Sequence, residues 1–196
     1  MMSVYDQMNE QTKQRIEETF LALMSKSAFS KISVRDITTT AAINRGTFYL
    51  HFTDKYELLE KIECKLLKGL AKACADIQPE KVLQEARSGT LSQFSMQVFH
   101  YIDRHALKFR VLLSSHNQSG FVKRLQRFFI EQFSQKYSNH RLTVSDPQLP
   151  VHYLAAFAAS AFLGVIEEWL MTEAHESPEQ IAEYFVRIIL TIQNYN

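Results

Sequence analysis

The sequence predicts an all-α fold, and three observations carry that expectation. Only five glycines and four prolines interrupt 196 residues, so the chain has few places to turn. Apolar residues recur at three- and four-residue intervals almost throughout, which lines one face of a helix. No stretch shows sustained two-residue alternation bounded by hairpin turns, the mark of strands. The pattern amounts to about nine helices, three short ones feeding a long one and then a second helical half rich in aromatic residues.

The first helix is expected between Gln11 and Lys26, where Ile16, Phe20, Leu23 and Met24 share one face. After a short connection, Ser33 to Asp36 has the form of a capping box and opens a brief helix ending near Thr40 or Ala41. Asn44 is placed to cap a third helix through its side-chain oxygen. Thr53 is placed to cap a fourth, with Asp54 in the first turn where the helix dipole favours an anion. Leu59, Ile62, Leu66 and Leu70 then carry the fourth helix to about Asp76.

Breaks follow at Gln78-Pro79 and Ser88-Gly89, and residues 141–150 form a loop by their two prolines. Phe94, Phe99, Tyr101, Phe109, Phe121, Phe128, Phe129 and Phe133 enrich the intervening helices in rings. A helix over Tyr153 to Met171 is studded with alanines and Gly164. The last one starts at Ser177-Pro178-Glu179-Gln180, an N-cap, a proline at the first helical position and a capping-box glutamine.

Composition excludes several classes. A formal charge of +1 and 22% charged residues describe no polybasic coat. Cys64 and Cys74 fall on different faces of one helix, so they cannot bridge within it. The seven histidines are scattered and no CxxC or HExxH spacing occurs, so neither a metal nor another cofactor is expected. Phosphate loops and nucleophile motifs are missing too, which argues against an enzyme. The N-terminal stretch has no apolar core, and the apolar run Tyr153–Ile166, of about 14 residues, is short for a bilayer. A cytoplasmic protein with no membrane partner is expected.

The segment INRGTFYLHFTDK, residues 43–55, bears most on function. Two short helices joined by a tight turn, braced by a preceding helix, outline a helix-turn-helix. Around the third helix, Phe48 and Phe52 fall beside Ile43 as a buried anchor, while Gly46 and Leu50 fall opposite, flanked by Thr47 and Tyr49. Arg45 has the planar fork that reads guanine edges. Thr47, Tyr49 and His51 suit phosphate, as does Lys55 in the first turn of the next helix. A tight two-helix corner also occurs in small helical folds of other purpose. Charge does not decide between them, since the first 72 residues hold 11 basic and 9 acidic side chains.

Ser33-Val34-Arg35-Asp36-Ile37, then Ala41 through Tyr49, then His51-Phe52 and Asp54-Lys55-Tyr56-Glu57-Leu58 resemble the TetR/AcrR family of transcriptional regulators. The resemblance runs ungapped over these segments. It implies an N-terminal helix-turn-helix DNA-binding domain, residues 1–55, and a C-terminal helical domain, residues 56–196, that binds an effector and dimerises. It further implies that Arg35 and Arg45 read bases, that Gly46 touches the groove floor, and that Ser33, Thr47, Tyr49, His51 and Lys55 contact phosphate, with Asn44 in the same DNA-binding set. Ala42 stands where many relatives carry glycine. Leu50 replaces a polar or aromatic residue, leaving open a base-methyl contact or none.

The expected partners are double-stranded DNA with a palindromic operator, a second copy of the chain and an unidentified small molecule. The dimer interface is expected on the last two helices, at Phe157, Ala161, Gly164, Trp169, Phe185, Ile188 and Ile189, where small residues allow close approach. The alternative is that residues 153–166 are a central core helix. Phe94, Phe99, Tyr101 and Phe128 are the candidates for an effector pocket, although rings at helical spacing also serve as plain core. Lys123, Arg124 and Arg127 form a basic face that suits solvent, an acidic effector or a protein. The leading function is a homodimeric repressor released from its operator by a small molecule. Its rival is a co-regulator or activator of the same fold that acts through a protein partner.

Overall fold

Ser3 and Ser33 start their helices in the same way. Each hydroxyl accepts the amide of the acid three residues on, and that carboxylate accepts the serine amide in return: Asp6 for Ser3, at 3.1 Å both ways, and Asp36 for Ser33, at 3.2 and 2.8 Å. The computed structural model describes residues 3–76, 84, 88, 93–114, 119–139, 150–172 and 176–193. Within them lie nine α-helices, which we number in order, and no strand. They are α1 (Val4–Met24), α2 (Val34–Thr40), α3 (Arg45–Tyr49), α4 (Lys55–Cys74), α5 (Gln93–Arg104), α6 (Ala106–Leu113), α7 (Phe121–Asn139), α8 (Val151–Met171) and α9 (Pro178–Gln193), with a 3-10 turn at Phe29–Lys31. The expected breaks at 78–79 and 88–89 fall largely outside the described residues, as does the loop before Pro150.

α1 begins well before the apolar rhythm that announced it. Val4, Tyr5 and Met8 are exposed, and burial starts at Ile16, so the first turns carry no periodic signal and are fixed by the Ser3 cap. α9 opens as its sequence indicates. The Gln180 amide donates to the Ser177 hydroxyl at 3.2 Å, and the Ser177 amide to the Gln180 side chain at 2.9 Å.

The chain divides into two units. The first comprises residues 1–66 with 111–121, and the second residues 67–110 with 122–196. The division therefore falls inside α4, further along than the 55/56 boundary expected from sequence. In the first unit Ile16, Phe20 and Met24 of α1, Ile37 of α2, Phe48 and Phe52, and Leu58 and Ile62 of α4 are buried together. Burying such side chains contributes roughly 1.5–3 kcal/mol each.

The second unit centres on aromatic rings. Phe162 of α8 meets Phe129 at 4.9 Å, Phe185 at 5.0 Å and Phe99 at 5.5 Å, all edge to face. α8 exceeds the apolar run read from sequence; by length and composition it could cross a membrane. Yet Ala155, Ala159, Phe162, Ile166, Trp169 and Leu170 are buried inside the unit.

Candidate nucleic-acid interface

The turn between α2 and α3 is a Schellman closure. The Ala42 amide donates to the Thr39 carbonyl at 3.2 Å and the Ile43 amide to the Thr38 carbonyl at 3.0 Å. The motif needs a left-handed residue, and Ala42 supplies it at φ 51°. Glycine is the usual occupant because it has no Cβ to crowd the next carbonyl. Asn44 caps α3 with its backbone alone; its side chain makes no capping bond, contrary to expectation.

Phe48 and Phe52 are fully buried, with ring centroids 5.7 Å apart. They anchor α3 from beneath and turn Arg45, Gly46, Tyr49 and Leu50 outward, where all four are exposed. Thr47 and His51 lie half-buried at the edges of this face, and Arg35 is exposed on α2. Arg45 donates to the Tyr49 hydroxyl from Nη2 at 3.0 Å. A Cβ built on Gly46 would meet nothing within 4 Å, so internal packing does not require the glycine. Partial burial, then the Lys13 ammonium, hold the His51 imidazole below its ordinary 6.5, with Glu10 opposing.

The Ser33 hydroxyl is engaged by Asp36, and that bond, followed by the Ser33 amide, holds the Asp36 carboxyl below its usual range. Lys55, expected at phosphate, is engaged within the protomer. Its ammonium donates to the carbonyls of Ile32, Phe29 and Ser30 at 2.7, 3.0 and 3.3 Å and lies 4.6 Å from the Phe29 ring centroid. An ammonium has three protons, so these carbonyls occupy them all, and Lys55 tethers the chain before α2 to the start of α4.

The cap of α4 also shifts by one residue. Asp54 Oδ1 accepts the amides of Tyr56 and Glu57, both at 2.8 Å, while Thr53 donates its amide and hydroxyl to the Glu57 carboxylate. Lys61 reaches the same carboxylate at 2.8 Å. Lys61, then the Thr53 amide and hydroxyl, lower the Glu57 carboxyl to about 2. Sequence reasoning missed Lys61, which also donates to the His51 carbonyl at 3.2 Å and sits 5.1 Å from the Phe52 ring, fastening the end of α3 to α4. The four-residue spacing of Glu57 and Lys61 was the available signal.

In the second unit the three described pocket candidates have different surroundings. The Phe94 side chain lies outside the described residues. Phe99 is buried against Phe162, Trp169 and Phe185. Tyr101 instead covers Gly69 of α4, filling the space a Cβ would need, and its ring lies against His105. Phe128 is half-buried beside Phe129. Among the interface candidates, Phe157, Ala161 and Gly164 on α8 and Ile188 on α9 are exposed, and Ile189 is half-buried. Trp169 is buried, with its Nε1 donating to the Glu176 carbonyl at 2.9 Å, so it is core rather than docking surface. Phe185 is half-buried within the aromatic cluster. Lys123, Arg124 and Arg127 are exposed on α7.

Residues 19–62 match the family described as bacterial regulatory proteins, tetR family, and residues 89–191 match that described as transcriptional regulator C-terminal region. The uncharacterized HTH-type transcriptional regulator YxbF of Bacillus subtilis is 25% identical over 180 residues, which is 90% of this chain and 44% of YxbF. The uncharacterized HTH-type regulator YerO of the same organism is 24% identical over 83% of this chain and 56% of its own length. The chain thus spans about half the length of these two relatives. The HTH-type dhaKLM operon transcriptional activator DhaS of Lactococcus lactis is 45% identical over 51 residues, 26% of this chain and 27% of DhaS. Among solved structures, a TetR transcriptional regulator from Streptococcus agalactiae shares the fold at a TM-score of 0.64 and 20% identity, over 95% of this chain and 97% of that one. A putative TetR-family regulator from Syntrophomonas wolfei aligns at 0.71 and 15% identity, over 94% and 95%.

Proposed function

The chain belongs to the TetR family of bacterial transcriptional regulators, and from that premise we propose that it is a cytoplasmic, homodimeric repressor. It binds a palindromic operator and leaves it when a small molecule enters the C-terminal domain. The observation that carries the reading is the outward face of α3, where Arg45, Gly46, Tyr49 and Leu50 stand exposed over a fully buried Phe48–Phe52 anchor. Such an exposed helix face suits the major groove, and Arg45 suits a guanine edge. Two copies supply two recognition helices, and the exposed apolar residues of α8 and α9 suit the contact between them. Effector binding would then act by favouring one spacing of those helices over another.

A second reading rests on the 51-residue likeness to DhaS, whose name makes that protein an activator. On that reading this chain acts as an activator or co-regulator through a protein partner and needs no small molecule. One experiment addresses both: select duplexes from a random library with the purified protein, then titrate the selected and a random sequence at two salt concentrations. Tight binding that prefers the selected sequence, with two chains per site, supports the operator-binding dimer. Weak binding with no sequence preference would sink it and favour the partner-dependent reading.

A further inference from the structure

Gly46 and Leu50 lie one turn apart on the outward face of α3, and neither is explained by the fold itself. Glycine in a short helix lowers helix propensity through its backbone freedom. Nothing within 4 Å would obstruct a Cβ there, and the only glycine with positive φ among the described residues is Gly120. Neither packing nor backbone conformation therefore calls for Gly46. Leu50 is 83% exposed, the most exposed large apolar side chain among the described residues. A leucine held so far into water gains nothing from burial in the protomer.

Both residues make sense against one surface. In the major groove, the C5-methyl of thymine is the one methyl group that a base pair presents, set among hydrogen-bond donors and acceptors. We infer that Leu50 reads a thymine methyl and that the bare Gly46 lets the helix backbone come close enough for it to do so. The inference rests on the operator-binding reading and gives it a base: one thymine in each half-site, recognised by apolar contact rather than by hydrogen bonding. Arg45, in the same first turn as Gly46, leaves room for a guanine contact in the same half-site.

The test uses the intact protein and duplexes it selects from a random library. Each thymine of the preferred sequence is replaced in turn by deoxyuridine, which removes the methyl and leaves pairing intact. At one position per half-site the replacement should weaken binding about fourfold, the factor that burial of a single methyl group gives. Leu50→Ala should bind the thymine and uridine duplexes equally while keeping the wild-type circular dichroism spectrum, since the side chain is exposed. Gly46→Ala should lower affinity for the selected duplex and diminish the uridine effect, because its added methyl holds the helix off the groove. Selective binding that is indifferent to uridine at every position would overturn the contact and leave the regulator intact. A library that yields no preferred sequence would remove both.

Discussion

The guanidinium of Arg45 donates to the phenol oxygen of Tyr49 from Nε and Nη2, at 3.3 and 3.0 Å, one turn apart on the exposed face of α3. Two of the five guanidinium N–H groups are thereby used, and the remaining three suffice for a bidentate guanine contact. Tyr49 thus holds Arg45 in place rather than competing with what it binds. Tyr49→Phe keeps the ring and removes the anchor, so affinity for a selected duplex should fall by about 0.5–1.5 kcal/mol. Melting temperature should stay unchanged because the hydroxyl is exposed. Wild-type affinity in Tyr49→Phe would show that Arg45 needs no such support.

Lys55 is expected to matter for folding. Lys55→Met retains the aliphatic stem and removes the ammonium that joins the carbonyls of Phe29, Ser30 and Ile32. Its side chain is half-buried, and the loss should be about 1–3 kcal/mol of stability, read as a lower denaturant midpoint. Undiminished stability together with a shallower salt dependence of DNA binding would return Lys55 to the phosphate-contacting role that its sequence position suggests.

What the sequence revealed depended on the range of the interaction. The Ser33–Asp36 box and the Ser177–Gln180 cap are closed within four residues, and both were legible. Phe48 and Phe52, one turn apart, were legible as an anchor because helical geometry alone puts them on one side. Lys55 was not, because its partner Phe29 is 26 residues away and nothing local marks three carbonyls converging on one ammonium. Trp169 failed for a related reason. Its place at the end of an apolar helix fits a partner surface as well as a core, and contacts beyond its own helical turn, the Phe99 ring and the Glu176 carbonyl among them, bring it inside. The outer face of α3 was read correctly as outward, yet what it touches lies beyond the chain and is a matter of chemistry.

Ala42 adopts a left-handed backbone at φ 51°, which disfavours a Cβ by roughly 1–2 kcal/mol. Ala42→Gly should relieve that strain, offset in part by the greater freedom of glycine in the unfolded chain, about 0.5–1 kcal/mol. A net stabilisation of about 0.5–1 kcal/mol in urea unfolding is expected. Destabilisation would mean that the alanine methyl makes a contact worth more than the strain.

Glu57 sets an acid limit. Its carboxyl is lowered from 4.5 to about 2 by Lys61 and by the Thr53 amide and hydroxyl. A depressed folded value means that the unfolded chain binds the proton more readily, so this contribution is complete above 4.5 and lost as the pH falls towards 2. Glu57→Gln should therefore differ most from wild type above pH 4.5, with the gap closing through that window in acid titrations of stability. A gap constant from pH 6 to 2 would place the effect in packing instead.

Phe157 is 62% exposed on α8, on the same helix as the exposed Ala161 and Gly164, and Ile188 of α9 is 45% exposed. Large apolar side chains left in water beside small residues suit a helix-to-helix contact between copies, in which a ring fills the space the small residues leave. On the proposed homodimer, Phe157→Glu would carry a charge into that contact and should weaken it by about 2–4 kcal/mol, read in sedimentation velocity as monomer where wild type is expected to sediment as a dimer. Because Phe157 is not part of the protomer core, helical content should be retained, which separates dissociation from unfolding. DNA affinity should fall with it, since a lone protomer would bring one recognition helix to one half-site and lose the second. A variant that stays dimeric would move the interface off this face of α8.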